Sequence, residues 1–294
     1  MDDRPRLMLI GYSGVGGKTI RRLTAVARAA GAAAPLVPPT RLIPVVIDGQ
    51  SSVLLEGRPV RLAAAMAVGE NDHVEMIQAI FRSLEMGGIR LLNETEADFR
   101  AQNRFLTASL LAAAAIATPP FALASHEEEL PTCARLVGFP LVVASLDGSP
   151  DIRHCASADA DDLLMVAASV RRSEWDPLML SGLPVATLGW RVLILAGRVL
   201  AAVPHRPLYL GPSAVPEKVG SPPRILRASA LAVMAALGLF YGAVDFVISP
   251  AGPLVIDVDV RPDIANLEEI SGRDLATPIV THLLARALAA ASRA

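Results

Sequence analysis

The stretch Gly242-Ala-Val-Asp245-Phe-Val-Ile-Ser-Pro-Ala-Gly-Pro253-Leu-Val-Ile-Asp257-Val-Asp259-Val260 reads as two paired strands joined by a Pro/Gly turn. Asp257 and Asp259 are two apart on a strand, so both carboxylates share one face. Folding the hairpin about residues 250–252 sets Asp245 roughly opposite Asp257. Three carboxylates then converge, each flanked by apolar residues that point the other way. Like charges this close cannot all stay ionised without a cation. Two sources of that cation stay open. A metal ion is one, and oxygen-only ligands favour Mg²⁺ shared with nucleotide phosphates. The other is Arg261 or Arg191, neutralising the acids as a structural ion-pair cluster.

Working outward, helices and strands alternate in the first half and hairpins appear in the second, which predicts an α/β region followed by α+β. Arg6–Gly11 reads as a buried strand and Thr19–Gly31 as the helix after it. Leu42–Asp48 and Ser52–Leu55 read as strands about the Asp48-Gly49 turn, and Val74–Glu85 as an amphipathic helix. Glu96–Ala117 reads as one long helix stopped by Pro119-Pro120. Leu188–Ile194 and Arg198–Val203 form a hairpin about Ala196-Gly197, with a Pro/Gly-rich loop over 204–223. The glycines of Gly11-Tyr12-Ser-Gly-Val-Gly-Gly-Lys18-Thr19 sit between a strand and a helix, but Tyr12 stands where a P-loop needs glycine, and G-x-G-x-x-G is not met either.

Composition excludes several classes. With 29 acids against 27 bases, net −2, nothing suggests a surface that tracks nucleic acid. Two cysteines, Cys133 and Cys155, cannot build a disulfide scaffold or a four-ligand zinc site. The apolar stretch Ala230–Ile248 raises the question of a membrane span, but Gly238, Gly242 and Asp245 interrupt it; an intramembrane carboxylate costs at least ~2.5 kcal/mol. The acidic start does not resemble a signal peptide. The expectation is a soluble, cytoplasmic protein with an aliphatic core. His73, His126, His154, His205 and His282 show no ligand spacing and read as surface or loop residues. The two lysines, Lys18 and Lys218, leave arginine to supply nearly all the positive charge.

The order of features over nearly the full length resembles the ATP-grasp superfamily, in particular its RimK-like glutamate-ligase branch. The resemblance is carried by Ser83-Leu-Glu-Met-Gly-Gly-Ile-Arg-Leu-Leu-Asn93, Asn103-Arg104-Phe-Leu-Thr-Ala-Ser, Gly138-Phe-Pro-Leu-Val-Val-Ala144-Ser145, Trp190-Arg191-Val-Leu-Ile-Leu-Ala-Gly197, the aspartate hairpin, and Leu267-Glu-Glu-Ile-Ser-Gly-Arg-Asp274. It implies a Rossmann-like pre-ATP-grasp domain over 1–93, a linker helix and small subdomain over 94–180, and a C-terminal subdomain with the metal hairpin over 181–294. The implied chemistry is ATP- and Mg²⁺-dependent ligation, in which a carboxylate attacks the γ-phosphate and an amine captures the acylphosphate. Positioning and charge neutralisation carry such a transfer.

Carried over residue by residue, the resemblance makes Asp245, Asp257 and Asp259 the metal carboxylates and Arg191 the catalytic arginine. Arg104, Ser145, Gly148, Ser149 and Leu183 fall at the nucleotide site. That side departs from the family: Ala144 replaces a phosphate-contacting lysine, and the flap Gly148-Ser-Pro150-Asp151-Ile-Arg153 has lost glycines. The hinge reads Ser181-Gly182-Leu183-Pro184. Residues 204–223 lack the Arg-x-Asn stretch that completes the metal site in relatives. ATP and Mg²⁺ are therefore the implied cofactors on an altered site. Two functions follow: a ligase joining an amino acid such as glutamate to a small-molecule or cofactor acceptor, or an inactive ATP-grasp-like partner, scaffold or ligand-binding subunit. The expected partners are small molecules and further copies of the chain in a homo-oligomer, or a hetero-oligomer if inactive, with no nucleic acid and no membrane.

Overall fold

Leu7–Ile10 is an unbroken run of apolar residues, and in the computed structural model it forms a strand, β1, buried on both faces. The structure describes residues 6–12, 17–69, 74–146, 155–157, 159, 161–170, 176–182, 189–205 and 222–291. The chain divides into two compact units, Met1–Phe99 with Arg261–Ala294, and Arg100–Val260. No helix among the described residues is long and apolar enough to cross a membrane.

In the first unit β1 is followed by helix α1 (Gly17–Ala29) and strands β2 (Leu36–Val37), β3 (Leu42–Ile47), β4 (Gln50–Leu55), β5 (Arg58–Pro59) and β6 (Ala64–Ala67). Helix α2 (Val74–Met86), strand β7 (Arg90–Leu91) and helix α3 (Thr95–Gln102) come next. An all-parallel sheet has the order β2-β1-β6-β7, and β3-β4-β5 form a separate antiparallel sheet. Parallel sheets need both faces covered. Met8, Ile10, Ala65 and Ala67 enter one core with Ile77, Ile80, Phe81 and Leu84 of α2. The chain's last two helices, α8 (Ile264–Ser271) and α9 (Ala276–Ala291), complete this unit, α9 lying near β6 and β7, and both near α1.

Gly11 closes β1 because nothing larger fits: a Cβ there would lie 2.3 Å from the Val68 carbonyl oxygen. The end of the glycine-rich stretch is engaged locally. Thr19 Oγ1 donates to Asp263 and accepts from the Ala265 N–H, and Lys18 Nζ lies 3.7 Å from Glu269. Residues 13–16 of that stretch lie outside the described residues.

The second unit starts with α4 (Arg104–Ala113). The expected long helix is two helices, because the Asn103 side chain accepts from the Leu106 N–H at 2.9 Å and caps a new start. Strands β8 (Phe121–Ala124), β9 (Leu141–Ser145), β10 (Cys155–Ser157) and β11 (Leu178–Gly182) form a sheet of order β10-β9-β11-β8. Helices α5 (Leu130–Val137) and α6 (Leu163–Val170) pack on the face that carries Leu141, Val143, Leu178 and Leu180. Strands β12 (Gly189–Leu195) and β13 (Arg198–His205), helix α7 (Arg224–Leu237), and strands β14 (Tyr241–Ser249) and β15 (Gly252–Asp259) follow. Their antiparallel sheet has the order β13-β12-β14-β15.

Candidate functional site

The β13-β12-β14-β15 sheet has two unlike faces. Trp190, Val192, Val244, Phe246 and Val258 alternate onto one, are buried, and have α7 packed near their strands. The opposite face carries the polar row. Arg191 pairs with Asp245 across β12 and β14, and Asp245 with Asp257 across β14 and β15. Asp259 stands opposite Ala243, one row along.

This register depends on a bulge. Ser249 pairs with Gly252 at the turn and Phe246 with Val255, a spacing that would put Ile256 opposite Asp245. The register shifts between Asp245 and Phe246, Ile256 is passed over, and Asp257 takes the place opposite Asp245. Without the extra residue Asp257 and Asp259 would point toward the α7 side. Gly189 allows β12 to sit this close to its neighbours, since a Cβ there would come 2.5 Å from the Phe246 carbonyl oxygen.

Asp245 is buried, so its charge needs partners. Arg191 supplies them in a two-pronged fork: Nε donates to Oδ1 at 2.8 Å and Nη2 to Oδ2 at 2.7 Å. Its third nitrogen, Nη1, donates to Asp259 Oδ2 at 3.4 Å. Burial opposes the guanidinium charge, but attraction and hydrogen bonding by Asp245, helped by Asp259 and Asp257, outweigh it and raise the Arg191 pKa. Arg104 Nη2 reaches to 3.9 Å from Asp257 Oδ2. The backbone N–H of Arg104 donates to the Leu146 carbonyl just beyond β9, at 3.4 Å. Arg261 is turned elsewhere, donating to Asp98 at 3.2 Å within the first unit.

The chemistry of the donor set, three carboxylates, suits a hard cation such as Mg²⁺. The arrangement does not. Among the described residues no three His, Cys, Asp or Glu groups are placed to hold a metal ion. Both oxygens of Asp245 are taken by the guanidinium of Arg191.

At the position the resemblance assigns to the nucleotide, Ala144 pairs with Met179, and both are buried on the face of their sheet opposite α5 and α6. A methyl group thus stands where the resemblance expects a lysine. Ser145 ends β9 and pairs with Leu178. Gly148, Ser149 and Leu183 lie outside the described residues, as do Pro150 and Pro184.

Sequence reasoning missed His205. It ends β13 opposite Gly189, partly buried, with Nε2 3.4 Å from Asp245 Oδ2. Burial lowers its pKa, and nearby Arg191 adds to that against the pull of Asp245 and Asp257, which favours the neutral ring. Pro204 argued for a loop, but β13 is an edge strand of its sheet, where a proline is tolerated. Extending the alternation from Val203 by two residues would have found it.

No model of a protein family matches the chain. A probable alpha-L-glutamate ligase 2 of Shewanella amazonensis (strain ATCC BAA-1098 / SB2B) is 27% identical over 274 residues, covering 90% of each chain. Among solved structures, a RimK domain ATP-grasp protein from Sphaerobacter thermophilus DSM 20745 superposes with a TM-score of 0.75 at 23% identity, over 95% of this chain and 99% of that one. The chain therefore shares the fold of ATP-grasp ligases and is similar in sequence to proteins named probable alpha-L-glutamate ligase. A further ATP-grasp relative by fold, the ligase PsnB complexed with minimal precursor, Mg and ADP, gives a TM-score of 0.70 at 15% identity over 98% and 99% of the two chains. The residues that come together here are Arg104, Arg191, His205, Asp245, Asp257 and Asp259, all within the second unit.

Proposed function

We propose that the chain is an ATP-dependent carboxylate–amine ligase, joining an amino acid such as glutamate to a small-molecule or cofactor acceptor. The observation that carries this reading is Arg191 fixed by Asp245 at the centre of the polar row, in a chain whose relatives bear the name glutamate ligase. A substrate carboxylate oxygen would bond to the γ-phosphorus of ATP as the bond to ADP breaks. An amine would then form the C–N bond, lose a proton and expel phosphate. Among the described residues, Arg191 and Arg104 are placed to neutralise the transferred group, a role guanidinium groups fill well because their forks match phosphate oxygens.

An isotope experiment tests the path. With ¹⁸O in the carboxylate substrate, turnover should deliver one ¹⁸O into inorganic phosphate, read by mass spectrometry on a panel of amino acids and acceptors. ADP formation with unlabelled phosphate would rule the acylphosphate path out.

A second reading, an ATP-grasp protein without catalysis that serves as a partner or ligand-binding subunit, is favoured by Ala144. A buried methyl group cannot replace an ammonium at a phosphate, and a lost charged hydrogen bond costs about 1.5–3 kcal/mol. The two readings separate on affinity for ATP.

A further inference from the structure

The three aspartates that the resemblance assigns to a metal are met by the chain's own cations. Asp245 sits at the buried centre of its sheet, and the fork of Arg191 uses both its oxygens. The remaining guanidinium nitrogen reaches Asp259, so one arginine ties two of the three acids together. Arg104 approaches the third, Asp257, from the start of α4. A planar fork held on a carboxylate from both prongs is a specific arrangement, stronger than a neutral hydrogen bond. A divalent ion entering between Asp245 and Asp259 would meet this guanidinium at close range in a poorly solvated place, where like charges repel strongly.

We propose that Arg191 is the resident cation of the aspartate row, and that the row takes a divalent cation only after Arg191 has been drawn off Asp245. The group able to draw it off is an oxyanion offering the same paired acceptor geometry, such as a phosphate. Cation uptake then follows anion binding, because the two share one arginine. The inference does not rest on the ligase reading, since the row and its arginine are the same whether or not the chain catalyses a reaction.

The test uses the full chain and Mn²⁺ alone, with free Mn²⁺ followed by electron paramagnetic resonance. The wild-type chain should leave the ion free. Arg191→Met, which keeps the length of the side chain and removes its charge, should bind one Mn²⁺ roughly tenfold more tightly or better. Adding Asp257→Asn should abolish that gain. Should Arg191→Met fail to fold, Arg191→Gln replaces it: the amide can still donate to Asp245 but carries no charge, and a gain over wild type is again expected. Equal binding by wild type and the variant that folds would overturn the proposal. So would an absence of binding in both, because the arginine would then not be what keeps the ion out. Neither ATP nor an acceptor enters this experiment, so its failure cannot be mistaken for failure of the ligase reading.

Discussion

Asp245 is a buried carboxylate whose two oxygens are met by one guanidinium. Breaking such a pair from one side leaves an uncompensated buried charge, which typically costs about 3–5 kcal/mol. Arg191→Met, which leaves the Asp245 charge buried without its fork, should therefore lower the free energy of unfolding in urea by about that amount, with little change in the denaturant slope. A loss below about 1 kcal/mol, the range of an exposed pair, would show that the fork is not held as a buried pair in solution. The acids themselves were legible in the sequence, since spacing alone puts Asp257 and Asp259 on one face. Their partner was not, because Arg191 and Arg261 were equally available by charge. Only the register of β12 on β14 selects Arg191, and Asp98 accounts for Arg261.

Among the elements, the hairpins and amphipathic helices were legible because their periods are strong. The misses have physical causes. The run Ala64–Ala67 is too short and too uniform to distinguish a buried strand from a helix. The break at Asn103 depends on one side-chain cap, and the bulge at Ile256 on strand pairing. The start of α9 illustrates how caps define elements. Glu268 accepts from the N–H groups of Leu275 at 2.8 Å and Ala276 at 3.0 Å, and from Arg22 Nε at 2.8 Å. Burial pushes the Glu268 pKa up, but these donors outweigh it and hold it below its ordinary 4.5. A depressed carboxylate stabilises the fold above its unfolded pKa and ceases to do so as pH falls through the folded value. Glu268→Ala should cost about 1–2 kcal/mol at neutral pH, the range of a lost helix cap. Chemical denaturation across pH should show that difference shrinking below about pH 4.5. A difference that is constant down to strongly acid pH would mean that the ionised carboxylate is not what caps α9.

At the scale of the whole molecule, the ATP-grasp fold is retained across relatives with low sequence identity, while the residues expected to hold ATP are altered in composition. Of the lysines that the family resemblance places at the nucleotide, one is Arg104 and the other Ala144. The former reaches toward the aspartate row, and the latter is buried beside Met179. The ligase and non-catalytic readings agree on the fold and on the ion cluster, and part over whether the chain still binds its nucleotide. A ligand at 100 times its dissociation constant adds about 2.7 kcal/mol of stability. For a chain of 294 residues that amounts to a rise in Tm of about 4 °C. The decisive measurement is a thermal-unfolding titration of the full chain with ATP, with and without Mg²⁺. A ligase predicts a saturable rise in Tm that Arg191→Met reduces. No shift at about 10 mM ATP under either condition would contradict the ligase reading.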